Sequence, residues 1–291
     1  MTRRGRRRPH DSIPIEEVKM RAQGMVIAVV TALLVPGVTA AQWLNQRSPG
    51  TPRLPDGKPD LSAPVARTAD GHADLSGIWN AGTLDYYMDL TSGLNPGEVQ
   101  LTAWAAGVRK QRMDRDHVDD PYAFCLPLGV PRINFRSEMK IVQTPPLTLF
   151  LYETYAGMTF RQVFTDGRPL PPAAESLPTW LGYSVGHWDG DAFVVETTGL
   201  RDGGWLSTRE AYPHSDALRV TERFRRKDFG HMDIVVTIDD PKAYAKPWTN
   251  TVPMTLRPDT ELLEAFCDNQ LAIVQHFRND PPPPEPPSPR N

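Results

Sequence analysis

The sequence predicts a mostly β protein: an antiparallel β-barrel with one helix towards its N-terminal side, with a two-sheet sandwich as the alternative. Three observations lead there. Short runs rich in Val, Ile, Phe, Tyr and Thr recur through residues 138–267. Turn-forming pairs separate them: Pro145-Pro146, Ala156-Gly157, Asp166-Gly167, Asp189-Gly190, Phe229-Gly230 and Pro258-Asp259. No regular alternation of strand and helix patterns marks a parallel α/β sheet.

In chain order, the basic run Arg3–Arg8 comes first. Met20-Arg21 then precedes an apolar run, 24–35, and the small residues of Val38-Thr39-Ala40-Ala41. A positive start, a short apolar middle and small residues at the cut form the pattern of a secretory signal peptide. Residues 1–41 are therefore expected to be a leader, with Met20 as the working start and 20–41 as the signal peptide. Cleavage after Ala40 or Ala41 leaves no membrane span, because the apolar run is short for a bilayer. The expected location is the periplasm or the exterior.

Residues 42–76 are rich in Pro, Gly and polar side chains and read as an extended arm. It carries a short repeat: Asp56-Gly57-Lys58-Pro59-Asp60-Leu61-Ser62 returns as Asp70-Gly71-His72-Ala73-Asp74-Leu75-Ser76. Two turns with side-chain caps account for it; Ca²⁺ ligation by the paired Asp residues is the other reading. The barrel domain is expected over 77–280, opening on Gly77-Ile78-Trp79. A helix is expected over 95–115, with Leu101, Trp104, Val108 and Met113 on one side and basic residues near its end. Strands are expected at 138–144, 147–155, 159–165, 181–188, 192–198, 218–226, 231–238, 249–256 and 261–267. The tail, 281–291, has seven prolines in eleven residues and reads as disordered or polyproline II.

The chain of 291 residues has 23% charged and 40% hydrophobic residues and a formal net charge of −3. That balance gives no electrostatic footprint for nucleic acid. Its two cysteines, Cys125 and Cys267, are expected to form a disulfide in an oxidising compartment. They are too few and too far apart for a zinc signature, and no histidine pair has metal-site spacing. No metal is expected, and no cofactor can be named.

The hairpin over residues 180–198 organises the candidate site. Alternation there places Leu181, Tyr183, Val185 and His187 on one face. It also groups Leu147, Leu149 and Leu151 with Glu153, Leu218, Val220 and Phe224 with Glu222, and Leu262 and Phe266 with Glu264. Polar groups among core-facing positions need a partner or a role. Candidate partners are Arg161, Arg168, Arg223 and Lys140. Gly182-Tyr183-Ser184-Val185-Gly186 matches the G-x-S-x-G pattern, but a strand follows where an esterase needs a helix, so Ser184 is not taken as a nucleophile. Two longer loops, 166–179 and 199–217, are natural places for binding groups. Trp205, Tyr212, Tyr244 and Trp248 form either an aromatic rim for a ligand or a plug for the barrel end.

The segments D-G-H-A-D-L-S-G-I-W (70–79), K-I-V-Q-T-P (140–145), G-Y-S-V-G-H-W-D-G-D-A-F-V-V-E-T (182–197), H-S-D-A-L-R-V-T-E-R (214–223) and D-D-P-K-A-Y-A-K-P-W (239–248) together resemble a family of exported proteins of Acidobacteria and some Proteobacteria. The resemblance covers about residues 55–269. It implies export and a shared fold and carries over no catalytic residue; many members have Arg in the place of His187. Gly77-Ile78-Trp79 is also similar to the G-x-W that opens the first strand of lipocalin-like barrels, which favours a calycin-like barrel over a sandwich.

The expectation is an exported barrel that binds a small, partly apolar molecule in its mouth. Its pocket would draw on Tyr183, His187, Trp205, Tyr212 and Trp248, with Glu222 and His214 nearby. The alternative is a periplasmic hydratase, lyase or hydrolase in which Glu222 and His214 supply acid–base catalysis. A structural envelope protein is the third reading. Oligomeric state is not legible.

Overall fold

The computed structural model describes residues 47–154, 160–172 and 177–263. The predicted leader and the tail lie outside these residues, as do Glu264, Phe266 and Cys267 of the last predicted strand.

The described chain closes a nine-stranded barrel in sequence order. Its strands are β1 (Gly77–Asn80), β2 (Met139–Thr144), β3 (Leu147–Tyr152), β4 (Phe160–Phe164), β5 (Tyr183–Asp189), β6 (Ala192–Thr198), β7 (Arg219–Arg226), β8 (His231–Asp239) and β9 (Trp248–Leu256). The barrel is mixed rather than purely antiparallel: β4 and β5 are parallel. Odd-numbered closure requires this, because nine strands in a ring cannot all alternate in direction. The connection after β4 crosses from one barrel end to the other. Of the expected strands, eight fall on observed ones, and β1 completes the ring by pairing with both β2 and β9.

Strands β2, β4, β5, β7 and β9 all run towards one end. This turn end carries the short β2–β3, β5–β6 and β7–β8 connections. The other, the loop end, carries the long β1–β2, β6–β7 and β8–β9 segments. Within the β1–β2 segment lie α1 (Asp85–Met88), α2 (Ala103–Asp114) and 3-10 turns at Pro121–Phe124 and Arg132–Phe135. Helix α2 starts later than predicted. The Thr102 side chain accepts a hydrogen bond from Ala105 N as the N-cap, while Leu101 bridges to Tyr244 in extended conformation. Its buried residues are Ala105, Val108 and Arg112, whereas Met113 is exposed. No helix among the described residues is long and apolar enough to cross a membrane.

The arm repeat forms two equivalent turns. Arg53 Nη1 donates to Gly57 O and Arg67 Nη1 to Gly71 O; Asp60 and Asp74 each cap the amide two residues on. The turns lace the arm to the turn end. Arg53 pairs with Asp259 at 2.6 Å and Arg67 with Asp191 at 3.0 Å, while Gly230 N donates to Leu61 O. Beside them Trp79 Nε1 donates to Leu75 O, and the Arg226 guanidinium lies 5.1 Å from the Trp79 ring.

Candidate functional site

Burial alternates along the strands, so the barrel interior can be read residue by residue. β8 and β9 are the regular case, contributing Met232, Ile234, Val236, Ile238, Val252 and Met254. As expected, β7 turns Val220, Glu222 and Phe224 inward. Two predicted faces are reversed. On β3, Thr148, Phe150 and Tyr152 are buried and the three leucines lie on the other face. On β5, Ser184 and Gly186 face the interior, leaving Tyr183, Val185 and His187 on the outer side. A Cβ on Gly186 would come 2.6 Å from Phe193. The reversal has a physical cause: at these strands the outer face is apolar as well, and the inner positions hold the small or polar groups that solvate a charge.

That charge is Arg161. Its Nη2 lies 2.6 Å from Glu222 Oε2, with both side chains almost wholly buried. Arg161 Nε donates to Ser184 Oγ at 2.9 Å and Nη2 to Thr197 Oγ1 at 2.6 Å. Asn134 Nδ2 donates to Glu222 Oε1, and Tyr152 OH donates to Asn134 Oδ1 at 2.8 Å. Burial pushes the Tyr152 phenol pKa upward. Ser184 is thus a hydrogen-bond partner near the start of β5. The glycines flanking it serve packing: Gly182 has φ +64°, and a Cβ there would sit 2.5 Å from Thr198 O.

The loop end is filled. Trp248 and Tyr244 meet edge-on at 5.6 Å, and Tyr244 OH donates to Pro213 O. Asn250 Nδ2 donates to Leu90 O and Ser92 O. Above them, Arg132 pairs with Asp120, both buried, and Arg112 stacks over Trp205 at 4.7 Å. Of the four aromatic residues grouped from the sequence, Tyr244 and Trp248 plug the barrel end, and Trp205 and Tyr212 belong to the loop layer. His214 is also buried; Nδ1 contacts Ser215 O at 3.0 Å, and burial lowers its pKa. No hydrogen bond joins it to Glu222 among the described residues. Tyr212 sits under Arg109, whose guanidinium is 5.0 Å from the ring, and His187 is exposed on β5. The predicted site residues therefore lie in separate places: Glu222 inside, His214, Trp205 and Tyr212 in the loop layer, Trp248 in the plug, and Tyr183 and His187 outside.

Open space lies elsewhere, in several clefts, two of them beside β5. One, of about 450 Å³, is at the turn end. Its barrel-side wall is Thr148, Trp188 and Phe193, with Gln143 beside them and Ala69 and Asp70 of the arm opposite. His72 stacks on Trp188 at 4.5 Å and fixes that ring against the arm. Thr148 is 3% exposed, and its hydroxyl has no hydrogen-bond partner among the described residues. The other cleft, of about 480 Å³, lies along the β4–β5 seam and includes Tyr183. Sequence reasoning passed over Trp188, Phe193 and Thr148. The available signal was Trp188, adjacent to His187 but pointing to the opposite side of the same hairpin.

Among the described residues no three His, Cys, Asp or Glu side chains gather as metal ligands. They include no free cysteine, and Cys267, the predicted partner of Cys125, lies outside them. Compared with protein-family models, curated proteins and solved structures, the chain finds no match.

Proposed function

We propose that the protein is an exported β-barrel that binds a small, partly apolar molecule in the cleft at its turn end. The observation that carries this reading is that interior-facing Thr148, Trp188 and Phe193 line the 450 Å³ cleft there, while Trp248 and Tyr244 plug the loop end. A concave, mostly apolar site with a few polar groups is the usual form of a small-molecule pocket. Here the indole and phenyl rings supply the apolar wall, and the Thr148 hydroxyl and Asp70 carboxylate supply the polar contacts. Export rests on the signal-like 20–41 segment and on the resemblance to exported bacterial proteins. The expected Cys125–Cys267 bridge belongs to the same reading, since disulfides persist in oxidising compartments. The acid–base alternative has less support, because Glu222 and His214 are buried, apart and already hydrogen-bonded.

Titration with 2-phenylethanol, followed by amide chemical shifts, tests the pocket. The expected shifts centre on Thr148, Trp188 and Phe193 and vanish in Ala69→Trp, which fills the cleft from the exposed arm. Shifts confined to other parts of the barrel would remove this site.

A further inference from the structure

We propose that the β4–β5 seam is a second binding site and that its ligand is a planar aromatic anion. The two strands pair over only two positions, Val163 with Ser184 and Phe164 with Val185. Towards the loop end from that point they bound the 480 Å³ cleft, together with the end of the crossover connection. Its walls include Phe160, Phe164, Trp180 and Tyr183, and Leu181 and Pro127 complete the apolar surface. Phe160 is 41% exposed, a large apolar ring left at the opening. Such surface marks an interaction site when it is grouped. Flat walls select flat ligands: offset or edge-on ring contacts reward an aromatic body beyond its buried area.

The charge of the ligand follows from bookkeeping of the nearby guanidinium groups. Arg161 below is neutralised by Glu222 at 2.6 Å. Arg168 lies 4.0 Å from the Phe164 ring centroid and donates to Tyr183 OH, but Asp166 neutralises it at 2.6 Å. Arg201 stacks over Trp180 at 4.6 Å, is exposed, and has no carboxylate in ion-pair range among the described residues. None of the described residues lining the cleft is acidic. The local field beside the aromatic walls is therefore positive, with Arg201 free to meet an anion while Trp180 carries the ring.

Calorimetric titration with 2-naphthoate and 2-naphthylmethylammonium, which share the same ring system, reads out both parts of the proposal. The expected result is that naphthoate binds about fivefold or more tighter than the ammonium compound, the scale of a single exposed charge contact. Arg201→Gln erases the preference and Arg201→Lys keeps it. Tyr183→Ala weakens both compounds, and Ala69→Trp, which fills the turn-end cleft from the exposed arm, leaves both unchanged. Equal binding of the two ions, or a preference that survives Arg201→Gln, would overturn the anion assignment. No binding of either, or binding lost in Ala69→Trp, would overturn the seam as a site.

Discussion

Arg161 and Glu222 face each other across the barrel interior, 2.6 Å apart, with side chains 1% and 0% exposed. They come from β4 and β7, and Asn134, Tyr152, Ser184 and Thr197 surround them with hydrogen bonds. A buried ion pair repays its desolvation only when its remaining polar atoms are served. Asn134, Ser184 and Thr197 bond the pair directly and Tyr152 supports Asn134, while Arg161 Nη1 is buried with no hydrogen-bond partner among the described residues. The pair fills the position where a binding barrel would otherwise be hollow, and the clefts of the proposal lie instead at the barrel's end and seam.

Removing one partner leaves an uncompensated charge. Arg161→Met is expected to lower stability by about 3–5 kcal/mol in urea unfolding, while Arg161→Met with Glu222→Leu recovers most of that loss. A double variant as unstable as the sum of the two single variants would mean that the pair is not coupled.

Gly186 is the second internal constraint. Its Cβ position is 2.6 Å from Phe193 and 2.8 Å from Val163, both part of the packed core. Gly186→Ala is expected to destabilise by about 1–3 kcal/mol through overpacking. Gly190, whose Cβ would meet nothing within 4 Å, lies in the hairpin turn and has a positive φ. A substitution there acts through backbone strain alone, so Gly190→Asn is expected to be nearly neutral. The same denaturation series checks both.

How much of this was legible follows from where the polar residues stand. Hairpins with clear turn dipeptides, such as β5–β6 around Asp189-Gly190, declared themselves, and so did the inward face of β7, where Val220, Glu222 and Phe224 alternate with polar residues. The faces of β3 and β5 did not. Leu147, Leu149 and Leu151 look like core, yet the interior takes Thr148, Phe150 and Tyr152; on β5 it takes Ser184, whose hydroxyl accepts from Arg161, and Gly186, where Phe193 leaves no room for a side chain. A charge buried by β4 sets the composition of neighbouring strands, and that is information no single strand contains. The parallel β4–β5 pair was hidden for a similar reason: it depends on which strands close the ring, and β1, absent from the expected strands, is the one that joins β2 to β9.

His214 is kept neutral by burial, its pKa lowered from the ordinary imidazole value of 6.5. The unfolded chain therefore binds a proton below about pH 6.5 that the folded chain does not. Its contribution to stability is present above that pH and declines as pH falls through it towards the lower folded value. Wild type is expected to lose stability between about pH 7.5 and 5.5, and His214→Gln to show a shallower loss over that window. Identical slopes for the two proteins would show that His214 titrates normally.

The proposed export carries with it the expectation that Cys125 and Cys267 form a disulfide. Peptide mass mapping without reduction is expected to recover one cross-linked pair, and Cys267→Ser to lower stability by about 2–5 kcal/mol. Two alkylatable thiols in protein isolated from an oxidising compartment would contradict the bridge.

The most direct test of the turn-end pocket is native mass spectrometry of the protein purified from its own source, comparing wild type with Ala69→Trp. Wild type is expected to carry a small molecule of defined mass that is absent from the cleft-filled variant. A wild type that remains unliganded, or a variant that retains the same mass, would contradict that pocket.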